Sequence, residues 1–149
     1  MWKSWSTERE NKMPEWAFVA LGSNLGDRDR YLALARERLA SLPDTKLACV
    51  SSVDETYPIG PPTQGAFLNQ MALLYTNLSP RSLLNECHEI ERQAGRTRSE
   101  RWGPRTLDLD IVCYGGRVLN EPDLVLPHPE FPNRDFWQRE VAELKSYAK

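Results

Sequence analysis

The chain contains no apolar run near the roughly 18 residues that a membrane-crossing helix requires. Its opening, MWKSWSTERENKMPEW, carries charges of both signs where a secretory signal would carry an apolar stretch. Cysteine is scarce: Cys49, Cys87 and Cys113 stand far apart and in no ligand-like spacing. That excludes a disulfide framework and a thiolate metal knot, and points to reduced, buried thiols of a cytoplasmic protein. The formal net charge is only −2, so no global field draws the protein to nucleic acid or anionic lipid. Internal repeats and low-complexity segments are missing. The GSNLGD turn lacks the lysine and following Ser/Thr of a P-loop, and there is no kinase-type loop set. The aromatic run by which RNA-recognition folds stack bases is missing as well.

What is present fits one domain. A chain of 149 residues can bury about 70% of its unfolded surface, and 40% hydrophobic with 27% charged residues is ordinary for a globular protein. Residues 1–15 are expected to be a disordered leader or extension, with Met13 an alternative start, and residues 16–149 a single domain. WAFVAL (16–21) reads as an interior strand. Leu32, Ala35, Leu39 and Leu42 lie at helical spacing, stopped by Pro43. KLACVSSVDET (46–56) and AFLNQMALLYT (66–76) read as strands joined by a turn-rich loop with three prolines and two glycines. Ser79 caps a helix with Pro80 at its first position, a buried stripe of Leu83, Cys87, Ile90 and Ala94, and a terminating Gly95. RTLDLDIVCY gives the last strand. The order β-α-β-β-α-β predicts an α+β, ferredoxin-like fold, an antiparallel sheet with two helices on one face.

The chemistry concentrates in RWGPRTLDLDIVCYGG (101–116). On a strand, Asp108 and Asp110 share a face at roughly 6.5–7 Å between Cα atoms. Alone, the pair suits a solvated face as well as a hard-cation site for Mg²⁺. It follows GRTRSERWGPR, however, which supplies Arg96, Arg98, Arg101 and Arg105 as forks for phosphate oxygens. His88 and Glu91, three apart on their helix, form a surface pair that could touch a nucleotide or merely each other. LPHPEFPNRDF offers His128 and Arg134 beside Phe136. Phe67 and Asn69 share a strand face, an aromatic plane beside an amide that suits a flat hydrogen-bonding heterocycle or an ordinary core edge.

RWGPRTLDLDIV resembles the signature segment of the 6-hydroxymethyl-7,8-dihydropterin pyrophosphokinase family of folate biosynthesis. ALGSNLGDR, FLNQ, IERQAGR and LPHPEFPNRDF are similar to that family's segments in the family's order, over about residues 16–137. The resemblance implies an ATP-dependent diphosphokinase that gives AMP and the pterin diphosphate. By it, Asp108 and Asp110 hold two Mg²⁺ ions, and Arg96 and Arg105 are the catalytic arginines. Arg98, His128, Arg134, His88 (often glutamine in the family), Glu91 and Ile111 join them in contacting ATP. The pterin lies between Phe67 and Phe136, with Asn69 and backbone groups near Thr56, Tyr57 and Ile59 reading its edge. Trp102 closes over both substrates, and segments 57–65 and 96–104 are the lids. The implied protein is a cytoplasmic monomer acting on small molecules, with neither nucleic acid nor membrane as partner. Two departures stand out. RTRSERW is one residue shorter than in some members, and the apolar VLxPLxEIAP tract is replaced by WQREVAELKSYAK. The closing element beneath Phe136 is therefore expected to be shortened or packed differently, and a binding relative without turnover stays open as an alternative.

Overall fold

The structure, a computed structural model, describes residues 13–57, 65–95 and 106–148. The first apolar run makes a longer strand than its hydrophobicity suggested, β1 (Glu15–Ser23), which carries straight through Gly22. Strand alternation sets Ala17, Val19 and Leu21 on one face and Phe18, Ala20 and Gly22 on the other. These two faces are covered by different helices.

The first face lies under α1 (Arg28–Ala40) and α2 (Pro80–Gln93). Asp27 starts α1 by accepting the Arg30 N–H at 3.2 Å, a cap that the sequence reading passed over. The helix ends at Ala40, ahead of Pro43, because Ser41 already leaves the helical path. Ser79 caps α2 as expected, with Pro80 at its first turn, and Gly95 follows the end of α2 at φ +77°. Leu32, Ala35, Leu39, Leu83, Cys87, Ile90 and Ala94 are all buried against Val19, Leu21, Ala72 and Leu74 of the sheet.

The sheet runs β2-β4-β1-β5, from β2 (Thr45–Val50), β4 (Phe67–Thr76), β1 and β5 (Asp108–Tyr114), with antiparallel neighbours throughout. This is the strand order of a split βαβ pair. The single strand expected over 46–56 is broken into β2 and β3 (Asp54–Thr56), both paired to β4. The break has a visible cause at Ser51. Its backbone N–H donates to the Met71 carbonyl at 2.9 Å while its own Oγ accepts the Met71 N–H at 2.9 Å. With a hydroxyl taking the ladder position of a carbonyl, the following residues leave the sheet.

A short hairpin of β6 (Leu119–Glu121) and β7 (Leu124–Leu126) and a third helix, α3 (Asp135–Leu144), complete the described fold. The two helices expected on one face are there as α1 and α2, and α3 is an additional helix that covers the opposite face. Trp137, Val141 and Leu144 recur at helical spacing and pack on Phe18, Ala20, Met71, Leu73 and Val112. The tail WQREVAELK is thus a helix with its own core. Of the cysteines, Cys87 is buried, while Cys49 and Cys113 are only partly so.

Candidate active site

Strand register places Asp108, Gly22, Asn69 and Asp54 in one row across β5, β1, β4 and β3, and Asp110, Ala20 and Met71 in the next. Directly opposed residues share a face, here the face that carries α3. Asp108 and Asn69 are two strand spacings apart, roughly 9.5 Å. Between the carboxylates and the amide, β1 contributes only Ala20 and Gly22. A Cβ at Gly22 would lie 3.4 Å from Asn69 Oδ1 and 3.7 Å from the Phe67 ring. The result is a low floor with half-buried Asp108 and Asp110 on one side and Phe67 with Asn69 on the other. Asn69 Nδ2 donates to Thr56 Oγ1 at 2.6 Å, which turns its Oδ1 toward the floor.

GSNLGD reads as a turn from sequence, which hides this role of Gly22, although a glycine inside a strand is a signal for close approach by a ligand or backbone. Gly22→Val is expected to keep the fold, because valine suits a strand. It should raise the KM for the ligand on the Phe67–Asn69 side by roughly tenfold or more, since overpacking a fitted space costs about 1–3 kcal/mol. Steady-state kinetics with thermal unfolding as control checks it. An unchanged KM would remove Gly22 from the floor.

His128, Arg134 and Phe136, scattered over nine positions of sequence, converge on Trp137. The Arg134 guanidinium stacks 4.3 Å from its ring centroid. The rings of His128 and Phe136 meet it edge-on at 4.9 and 6.3 Å. Trp137 is 2% exposed and was not among the residues singled out from sequence, yet it orients three of them. The His128 segment is anchored to β5 by its N–H, which donates to the Val112 carbonyl at 2.8 Å. His128 Nδ1 accepts the Glu130 N–H at 3.1 Å, so the ring proton sits on Nε2, 3.8 Å from Asp110 Oδ1. Burial and the Arg134 charge hold its pKa below the usual imidazole value, only partly opposed by Glu130 and Asp108. His128 is therefore neutral at pH 7 and offers Asp110 a polar N–H.

Glu91 is not the surface partner of His88 that its spacing suggested. It is 2% exposed, and its Oε2 accepts the Leu109 N–H at 2.7 Å. It lies behind the sheet and fixes the backbone residue between the two aspartates, while His88 stays half-buried on α2. The Ile111 side chain is likewise in the core under α1 and α2. Strand alternation turns it away from Asp108 and Asp110, so as a nucleotide contact it is limited to its backbone. Tyr57 is 79% exposed at the end of the described β3 segment. Ile59, Arg96, Arg98, Arg101, Trp102 and Arg105, and most of the two expected lids, lie outside the described residues.

Among the described residues no three His, Cys, Asp or Glu side chains gather as a metal site. Asp108 and Asp110 would hold a cation jointly with oxygens of water or of a bound ligand. The ferredoxin-like sheet thus presents a carboxylate pair opposite an aromatic–amide wall. A family model described as 7,8-dihydro-6-hydroxymethylpterin-pyrophosphokinase matches residues 18–146. A 2-amino-4-hydroxy-6-hydroxymethyldihydropteridine pyrophosphokinase of Haemophilus influenzae is 42% identical over 120 residues, 80% of this chain and 75% of the relative. That of Pseudomonas aeruginosa is 42% identical over 132 residues, 89% of this chain and 82% of the relative. The Bacillus subtilis protein of the same name is 41% identical over 128 residues, 86% of this chain and 77% of the relative. The chain belongs to the 7,8-dihydro-6-hydroxymethylpterin-pyrophosphokinase family.

Proposed function

We propose that the chain transfers diphosphate from ATP to 6-hydroxymethyl-7,8-dihydropterin in folate biosynthesis. The observation that carries this is the floor of Ala20 and Gly22, with Asp108 and Asp110 on one side and Phe67 and Asn69 on the other. The pterin hydroxymethyl oxygen bonds to the β-phosphorus of ATP and the bond from that phosphorus to the α,β-bridging oxygen breaks. The hydroxyl loses its proton and AMP leaves. Such a transfer needs positioning and charge neutralisation more than covalent chemistry.

The donor set fits magnesium: two half-buried carboxylates, all-oxygen and two residues apart on one strand face. When bound, Mg²⁺ would neutralise phosphate charge and align the attacking and leaving oxygens; two ions are proposed, held by Asp108 and Asp110. Glu91 fixes the strand between these aspartates through the Leu109 N–H. His128 directs its Nε2–H toward Asp110, and Arg134, held over the Trp137 ring, offers its guanidinium to phosphate. On the other wall Phe67, together with Phe136, stacks the pterin, and Asn69 Oδ1 accepts from its edge near Thr56 and Tyr57. His88 on α2 completes the nucleotide contacts, with the Ile111 backbone beside it. Arg96, Arg98, Arg105, Trp102 and Ile59 are assigned on resemblance, with Arg96 and Arg105 steadying the triphosphate and the departing product. The working form is proposed to be a cytoplasmic monomer whose partners are these two small molecules; among the described residues no helix is long and apolar enough to cross a membrane.

The test is AMP release from ATP with the pterin and Mg²⁺ each present or omitted. AMP and pterin diphosphate forming only when both are present is the expected result. ATP and pterin binding without AMP would favour the binding relative, and ATP consumed to ADP would overturn diphosphate transfer.

A further inference from the structure

On the inner side of α3, Glu140 is 1% exposed, and among the described residues no N–H or O–H group donates a hydrogen bond to either of its carboxyl oxygens. A buried carboxylate with no donor is costly, and the side chain standing against it is another acid, Asp54 of β3. Two carboxyl groups can hydrogen-bond only by sharing a proton. Asp54 is ion-paired on its other side to Arg139, at 2.9 Å. Farther along α3, Glu143 accepts both the N–H and the hydroxyl of Ser52 at 2.9 Å. Helix α3 is thus tied to the 52–54 segment at three adjacent points, of which Glu140 is the buried one.

Asp54 stands directly opposite Asn69, and Thr56, two residues on, accepts the Asn69 amide. Phe136 begins the same helix one turn before Glu140. We propose that Glu140 is a positioning residue, which donates a single shared proton to Asp54 and by this bond fixes the Thr56–Asn69 edge relative to Phe136 across the pterin side of the site. The inference rests on the function proposed above for its ligand but not for its proton. The other charged groups around the pair are Arg139 and Glu143 of α3. Beneath it, β4 offers Met71 and Leu73, and β2 offers Cys49, whose thiol is pushed up by burial and by Glu143.

Burial first, then the neighbouring Asp54 carboxyl, push the Glu140 pKa up to about 9, while Glu140 first and Arg139 after it lower that of Asp54. The sign follows from linkage. Glu140 is protonated in the folded state and ionised in the unfolded chain from about pH 4.5 to 9, so folding takes up a proton in that window. Its contribution is complete below the unfolded value and declines by about tenfold in the folding constant per pH unit until the folded value is passed.

The experiment compares wild type with Glu140→Gln, whose amide donates to Asp54 at every pH. Unfolding is measured without ligand from pH 5 to 10, and pterin affinity from pH 7 to 10 with a non-hydrolysable ATP analogue and Mg²⁺. Ionisation of the pterin itself is common to both proteins and cancels in the comparison. The expected result is a variant that gains stability over wild type steadily as pH rises, keeps wild-type pterin affinity at pH 7, and retains it above pH 9 where wild type weakens. Affinity for the ATP analogue should change equally in both. Parallel stability profiles for the two proteins would overturn the shared proton. Divergent stability with identical pterin profiles would overturn the positioning role, and failure of both proteins to bind pterin would instead count against the ligand. Asp54→Asn gives an independent check, since its amide can donate to an ionised Glu140 and should also flatten the stability profile relative to wild type.

Discussion

Asp110→Ala is expected to lower kcat on the order of a thousandfold or more, corresponding to the several kcal/mol that a bound metal contributes to a phosphoryl-transfer transition state. The same substitution should leave the melting temperature unchanged or slightly higher. Asp110 is half-buried on a strand face beside a second carboxylate, with a neutral His128 3.8 Å away, so its removal relieves repulsion and opens no core cavity. Kinetics at saturating Mg²⁺ together with thermal unfolding separates the two effects. A variant that turns over at the wild-type rate would refute the metal assignment, whereas one that loses both activity and stability would make Asp110 structural.

Trp137→Ala has the largest expected effect on stability. The indole is 2% exposed, packed between α3 and Phe18, Met71 and Leu73 of the sheet, and truncating a buried tryptophan costs roughly 3–5 kcal/mol. In a domain of this size that corresponds to a fall in Tm of about 10 °C or more. Trp137 also stacks Arg134 and meets His128 and Phe136, so KM for ATP and pterin should both rise at temperatures where the variant remains folded. Trp137→Phe retains an aromatic surface and should recover most of the stability. Calorimetry and kinetics at 15 °C check these outcomes, and an unchanged pair of KM values would limit Trp137 to a packing role.

The parts of this protein that sequence revealed are those set by local rules. Ser79, Pro80 and Gly95 bound α2 because capping chemistry acts within a few residues. Asp108 and Asp110 share a face because strand alternation is a two-residue property. Glu91 defeated the same logic. Helical spacing puts it beside His88, but its burial depends on where β5 lands, eighteen residues later, and only the fold supplies the Leu109 N–H that it accepts. Helix α3 was hidden by comparison with an expected apolar tract. Its own signal, Trp137, Val141 and Leu144 at helical spacing, was there to be counted. The Gly22 floor required register: only the pairing of β1 with both β4 and β5 puts that glycine between Asn69 and Asp108. Glu140 follows the same pattern, since its partner Asp54 lies far away in sequence and a glutamate in a helix looks solvated until the helix is docked.

The position of β5 at the end of the sheet carries a further consequence. A terminal strand exposes unpaired N–H and carbonyl groups that can recruit a strand from another molecule. Here the outward N–H of Leu109 is taken by Glu91 and the outward carbonyl of Val112 by His128. Two residues read as nucleotide contacts therefore also occupy backbone groups at the margin of the sheet that a strand of another molecule would need.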